Sequence, residues 1–319
     1  MTCQESSLKV IVSVLALILL SLPAKAAEYD QAYALATAGR GDDAVAQLRS
    51  LTGDPRAQAL LCIVLLTMDR FDDSVRACEA AVRLQPSDGG YQLSLARAYG
   101  SKAEHSGVFT GMKLVGTIRR SFEKAVELEP TSVDAISDLG EFYVSAPGIV
   151  GGGTEKAQAL VDHLMKLSPA RGHRLQAMIA QKSGNNAQAE SELHKEIAVK
   201  HSPESYVDLA NYYAHLKQWQ KAADAAQTAI GRDTRHGADV VDAARLLVKM
   251  NCELSTAQQA YRDYLAGSNQ SIGTPAFKVH ALLGELLQKQ GDRAGARKEF
   301  AAALALVKDY APARRGAQA

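Results

Sequence analysis

The 319-residue chain lacks the short phrases by which sequences usually announce chemistry. No Cys-x-x-Cys pair and no His-Glu-x-x-His phrase occurs, and His105, His163, His173, His194, His201, His215, His236 and His280 are scattered, so a zinc centre has no support. The Gly-x-Ser-x-Gly elbow of acyl-transfer enzymes is missing too. One glycine-rich stretch, Gly148 to Gly153, opens a helix. A phosphate-cradling loop needs a lysine and a hydroxyl after its last glycine, whereas Thr154-Glu155 follows here and the carboxylate would repel a phosphate. The stretch reads as a turn insertion. Asp42-Asp43 and Asp72-Asp73 sit just before a helix, where negative charge favours the N-terminus and needs no chemistry to explain it. The expectation is a protein that is no enzyme and uses no cofactor and no metal.

An excess of one charge is lacking as well: 36 basic residues face 35 acidic ones. No linker, low-complexity tract or charge block divides the chain. The apolar run Val10 to Leu22 is shorter than the eighteen or so residues that span a bilayer. Lys9 precedes it and Pro23-Ala24-Lys25-Ala26 follows, the three parts of a secretory signal. Residues 1–26 are therefore expected to be a signal peptide cleaved after Ala26, leaving a periplasmic or secreted protein. Cys3 lies ahead of the apolar run and cannot be the lipid-bearing cysteine of a lipoprotein signal. Losing Lys9, Lys25 and Glu5 leaves thirty-four residues of each sign. That balance gives no whole-protein footprint for nucleic acid or anionic membrane, so neither a nucleic-acid partner nor stable membrane insertion after cleavage is expected. Cys62, Cys78 and Cys252 remain, an odd number in a compartment that permits disulfides. Cys62 and Cys78 face the interior of one helix pair. A bond needs Cα atoms within about 7 Å, while packed helix axes lie about 8 to 10 Å apart, so buried thiols filling small-residue slots are the preferred reading and a bond the alternative.

What the chain has is recurrence. From Tyr206 it reads Tyr206-x-x-Leu209-Ala210-x-x-Tyr213, then Trp219, then Ala222-x-x-x-Ala226-x-x-Ala229. Spacings of three and four place these residues on one stripe of each of two helices, and the small ones let the helices touch closely. Ala32 to Ala44, Cys62 to Ser74, Ala177 to Ala189, Ala210 to Ala222 and Gly284 to Ala296 are each twelve positions apart. Two units are longer: Ala96 to Ile118 is twenty-two and Gly140 to Ala157 is seventeen, which marks insertions at 101–117 and 146–153. Pro86, Pro130 and Pro169 each close a unit, because proline stops a helix.

The phrases Ala80-Ala81-Val82-Arg83-Leu84-Gln85-Pro86 and Lys124-Ala125-Val126-Glu127-Leu128-Glu129-Pro130 resemble tetratricopeptide repeats, and Leu283-Gly284, Leu287, Gly291-Asp292, Ala296, Phe300 and Ala303 match that pattern almost fully. The resemblance covers about residues 28 to 310. It implies an all-α, right-handed superhelical solenoid of about eight antiparallel helix pairs filling 27–319: units at about 28–54, 55–88, 89–132, 133–170, 171–203, 204–236, a degenerate 237–272 without glycine turn or closing proline, and 276–310. Trp219 occupies the turn slot that Phe71 fills earlier and reads as a packing residue.

Such arrays line their inner wall with the first helix of each pair. By resemblance to the family, the inward residues are Ala59, Ile63, Leu66, Leu93, Arg97, Ser137, Glu141, Arg174, Met178, Gln181, Val207, Asn211, Ala214, Ala281, Glu285 and Gln288. Relatives that grip a peptide C-terminus use lysines and asparagines at these places. Here Asn211 stands alone, with Val207 in the first lysine's slot, so that carboxylate clamp is absent. The insertions, with Phe109 and Met112, are expected side by side on one edge, either packed on each other or meeting a partner. The expected role is a scaffold or adaptor of the cell envelope binding a protein or peptide partner through Ile63, Arg97, Glu141, Arg174, Met178, Asn211, Glu285, Phe109 and Met112. The alternative is an envelope component for polysaccharide export or wall assembly that touches glycan directly. Oligomeric state has no sequence signal.

Overall fold

Residues 26–318 are described by a computed structural model; the expected signal segment and its cleavage site lie outside or at the very edge of them. Seventeen α-helices follow one another: α1 (26–37), α2 (Gly41–Leu48), α3 (Pro55–Thr67), α4 (Phe71–Leu84), α5 (Gly89–Glu104), α6 (Val108–Leu128), α7 (Val133–Ser145), α8 (Thr154–Leu167), α9 (Pro169–Lys182), α10 (Asn186–Lys200), α11 (Pro203–His215), α12 (Trp219–Arg232), α13 (Ala238–Met250), α14 (Leu254–Ala266), α15 (Ala276–Lys289), α16 (Arg293–Leu306) and α17 (Ala311–Gln318). Among the described residues there is no strand, only an isolated bridge between Ser271 and Thr274. From α2 onward each helix packs on the next, and odd-numbered helices also touch one another, so the chain is a solenoid of helix pairs with α17 as a single closing helix. Side-chain caps start many helices: Asp54, Asp88, Ser132, Asn185, Ser202 and Asp292 each accept a hydrogen bond from a backbone N–H in the first turn.

The seam of each pair is made by the small residues. Ala32, Ala44, Cys62, Ser74, Ala157, Ala189, Ala210 and Ala222 have no exposed surface. Where glycine holds the slot, nothing larger fits: a Cβ on Gly284 would lie 2.6 Å from the Phe300 ring, and one on Gly140 2.7 Å from Leu175. The same close approach corrects the reading of the cysteines. Cys62 on α3 and Cys78 on α4 form a disulfide with Cα atoms 5.2 Å apart, well inside the usual spacing of helix axes. Cys252 is the free thiol.

The tight turns repeat one geometry. Gly39, Asp69, Gly184, Lys217 and Gly291 all lie seven positions after the first small residue of their pair, and all adopt left-handed backbone with φ between 58° and 89°. The degenerate pair turns differently, through left-handed Asn251 and Glu253. The insertions are structured: the first lengthens α5 and gives α6 its 21 residues, and the second contains a 3-10 turn at Gly148–Val150.

The two ends of the array meet. The backbone N–H of Lys308 donates to Asp42 Oδ2 at 2.8 Å, a Cβ on Gly41 would come within 2.7 Å of Val307, and Gly39 lies against Ala276. One hydrophobic cluster accordingly runs from Ala32 and Met68 to Val307, Tyr310 and Ala313, while a second, from Leu93 to Ile179, fills the opposite side. The solenoid is thus a single closed turn.

Lys217 bears a Cβ in a conformation that costs an L-residue roughly 1–2 kcal/mol, partly offset in glycine by its larger unfolded-state entropy. Lys217→Gly is expected to raise the melting temperature by about 2 °C in a thermal unfolding scan, and a decrease would show the turn to be unstrained. Gly41→Leu is expected to part the ends, seen as a larger radius of gyration in small-angle scattering; an unchanged radius would deny that the ends hold each other.

Candidate inner-wall site

Ion pairs between successive first helices run along the inner wall. Arg97 on α5 pairs with Asp138 on α7 at 2.6 Å. Glu141 on α7 pairs with Arg174 on α9, whose Nε lies 3.0 Å from Asp208 Oδ2 on α11, and Arg171 on α9 pairs with Glu204 on α11 at 2.6 Å. Of the first helices from α3 onward, α9 and α11 pack on each other least, so these two bridges hold a gap that side-chain packing leaves open. The gap is a recess of about 310 Å³ lined by Arg174, Met178, Gln181, Asp208, Asn211 and His215 among others.

At α13 the alternation of sign fails. A neighbouring recess of about 520 Å³ is lined by Glu204, Val207, Asp208, Asn211, Asp239, Asp242, Arg245 and Lys249 together with Arg174. Among the described residues Asp239 forms no ion pair with the cations of this recess. Burial, then Glu204, Asp233, Asp242 and Asp208, push it up to about 6. Asp242 is also raised by burial, against Arg245 at 3.5 Å. Asp208 is raised because burial outweighs the attraction of Arg174. Behind it Glu196, on α10 and only 3% exposed, has one carboxylate oxygen without a hydrogen-bond partner. Burial and the Asp208 charge push Glu196 up to about 8. A third recess, of about 640 Å³, adjoins the other two through Asn211 and is lined by Ala214, His215, Trp219, Leu246, Lys249 and Met250.

Of the expected residues the fold brings together Glu141, Arg174, Met178 and Asn211. Arg97 lies two first helices before Arg174 and is engaged by Asp138. Glu285, on α15, is raised by burial and feels Arg315 and Arg245 on the far side of α13. Ile63 is half-buried on α3, apart from these recesses. Phe109 and Met112 stand on the outer edge, 84% and 59% exposed. One expectation changes. Trp219 is 53% exposed and lines a recess, because its position at the first turn of α12 points it past the seam instead of into it. Arg174 is enclosed by Glu141 and Asp208, so reversing its charge would set a third acid beside these two. Sequence reading missed Asp208, Asp239, Asp242, Arg245 and Lys249. The signal lies in the spacing: Asp239, Asp242, Leu246 and Lys249 share one stripe of α13, in the pair that lacks the glycine turn and closing proline. Among the described residues no three His, Cys, Asp or Glu side chains converge to hold a metal ion.

The Glu196 carboxyl gives a pH dependence of known sign. Its folded pKa lies above its unfolded value, so the folded state holds the proton more tightly and stability falls as pH rises from the ordinary carboxylate range to about 8. Glu196→Gln, which keeps a neutral group of the same size, is expected to flatten the decline in melting temperature between about pH 5 and about pH 8. Parallel curves for the two proteins would place the titration elsewhere.

Comparison with known proteins agrees with this architecture. Residues 174–236, from α9 to the end of α12, match the tetratricopeptide repeat family model. No curated protein matches the chain by sequence. Among solved structures, yeast Tom70 aligns with a TM-score of 0.51 at 13% identity over 87% of this chain and 57% of its own length. A thermophilic tetratricopeptide repeat protein of Thermus thermophilus aligns with a TM-score of 0.47 at 20% identity over 61% of this chain and 100% of its own. The chain spans little more than half the length of Tom70. At these identities the likeness is one of fold. Residues 174–236 thus match tetratricopeptide repeats, and helix pairs of the same kind continue on either side of them.

Proposed function

We propose that the protein is an exported, non-enzymatic scaffold that grips an extended segment of a protein partner along its inner wall, chiefly between α9, α11 and α13. The observation that carries this reading is the set of unspent polar groups converging on Asn211, the residue common to three adjoining recesses. Among the described residues the Asn211 side chain makes no hydrogen bond and Lys249 no ion pair, while Trp219 presents an exposed ring beside them. An extended peptide offers backbone donors and acceptors to the Asn211 amide. It offers a basic side chain to Asp239 and Asp242 and an apolar one to Trp219 and Leu246. The wall is made of preformed helices, so little ordering is needed on docking. Export is supported by the apolar run Val10 to Leu22 behind Lys9 and by the Cys62–Cys78 disulfide, a bond that persists outside the reducing cytosol.

A photo-crosslinking residue placed at Trp219 in the native envelope is expected to trap a protein, and Asn211→Ala with Trp219→Ala is expected to weaken its capture about tenfold or more, as hot-spot residues do. Both side chains are exposed, so the array should melt unchanged. Full capture by the double variant would move the site off this wall. Glycan recovered without protein would favour a sugar stacked on Trp219.

A further inference from the structure

The two insertions leave apolar tips in water on the edge of the solenoid, away from the inner wall. Val108, Phe109 and Met112 at the start of α6 are 76%, 84% and 59% exposed, and Ile149 in the turn before α8 is 93% exposed. These are four of the nine large apolar side chains that stand exposed among the described residues. Cations hold the second turn: the Arg119 side chain of α6 lies where a Cβ on Gly151 would be, and Lys156 Nζ donates to the Gly151 carbonyl at 2.9 Å while sitting over the Tyr143 ring. The second turn is thus tied to α6, and all four apolar side chains are left to solvent.

Beside them stand basic groups of which some are free of acids. Residues 101–124 carry Lys102, Lys113, Arg119, Arg120 and Lys124. Arg119 faces Glu123 at 3.8 Å. Lys102 is spent on Asp72 at 2.7 Å, and Lys124 on Glu127. Among the described residues Lys113 and Arg120 have no carboxylate partner, and both are exposed; the Arg120 guanidinium reaches only the Thr117 hydroxyl at 3.1 Å. Phe109, Met112, Gly116 and Arg120 follow helical spacing, so one stripe of α6 runs from an apolar end to a basic end. Glu104 and Glu155 are exposed nearby, and against them stand Lys113, Arg120 and Lys156, a surplus of one basic group.

We propose that this edge docks on a bilayer leaflet containing anionic phospholipid. Val108, Phe109, Met112 and Ile149 would enter the headgroup and upper acyl region while Lys113 and Arg120 meet the phosphates. Two features favour a lipid surface over a protein partner. The apolar groups are separate exposed tips, and Phe109 and Arg119 stand about 15 Å apart along α6. Protruding apolar tips backed by unpaired cations suit a deformable, negatively charged interface, which moulds around each tip, better than a complementary protein surface. No described helix is long and apolar enough to cross a membrane, so the contact is a surface attachment. It leaves the inner wall open and does not depend on what the wall binds.

The test is co-sedimentation of the purified protein with vesicles of phosphatidylcholine containing about 30% phosphatidylglycerol, compared with phosphatidylcholine alone. The unsubstituted protein is expected to pellet with the anionic vesicles. Phe109→Ser with Ile149→Ser is expected to lower partitioning at least about tenfold, and Lys113→Glu with Arg120→Glu to abolish the preference for anionic lipid. All four positions lie on the surface, and an unchanged melting curve certifies the fold. The difference between variants is decisive even if the apolar run at 10–22 is retained, since every version shares it. Absence of vesicle binding, or equal binding by all versions, overturns the proposal and leaves a protein partner as the occupant of the edge.

Discussion

Everything in this structure depends on how closely two helices of a pair can approach. Alanine, glycine, serine and cysteine at the paired slots bring backbones together, and the bulk of each unit's apolar surface is buried along that line of contact. The Cys62–Cys78 bond shows how near the approach is, since ordinary helix spacing would hold the two Cα atoms apart. Because each seam is narrow and nearly identical, successive pairs rotate by similar amounts, and the curvature of the wall is set by the seams before any wall residue is considered. A larger side chain at Gly284 or Gly140 would collide with Phe300 or Leu175 and change the angle at which one helix crosses the next.

Curvature alone does not make a site. The wall acquires one where two further conditions coincide: α9 and α11 stand apart, and the ladder of ion pairs between successive first helices does not continue to α13, where Asp239 and Lys249 are left without partners among the described residues. Up to α11 every acid on the ladder has a guanidinium within reach, which offsets part of the desolvation of each charge. Beyond it, Asp239 is raised by burial and by four neighbouring carboxylates, and Glu196 lies beneath with an oxygen that has no hydrogen-bond partner. These groups weaken the free array; a ligand that brings positive charge and hydrogen-bond donors would relieve them. Frustration of this kind is what distinguishes the stretch from the balanced wall before it.

The seams were legible in the sequence because they obey a fixed distance: twelve positions from small residue to small residue, seven to the left-handed turn. The site was legible in part. Arg174, Met178 and Asn211 were placed by their position within well-formed repeats, whereas Asp239, Asp242 and Lys249 sit on α13, whose pair lacks the glycine and proline that mark register. Asp208 was missed for another reason, since its importance comes from Arg174 on the preceding first helix and Glu196 on the helix between, relations that no single repeat displays. Trp219 misled because a turn aromatic packs in one unit and faces water in another according to a small rotation of the helix that begins there.

Least legible of all was the meeting of the ends, which joins Asp42 to Lys308 across most of the chain. Open solenoids leave an apolar flank at each terminus and cover it with an atypical polar repeat. Here the closing helix α17 is only eight residues long, too short to cover such a flank by itself. Instead Met68, Val307 and Tyr310 are buried where the first pairs meet the last, so each end serves as the other's cap. That arrangement succeeds only if the sum of the rotations at all the seams returns the chain to its start. The small residues spaced along the sequence therefore act collectively: each fixes one local crossing, and their total decides whether the ends find each other.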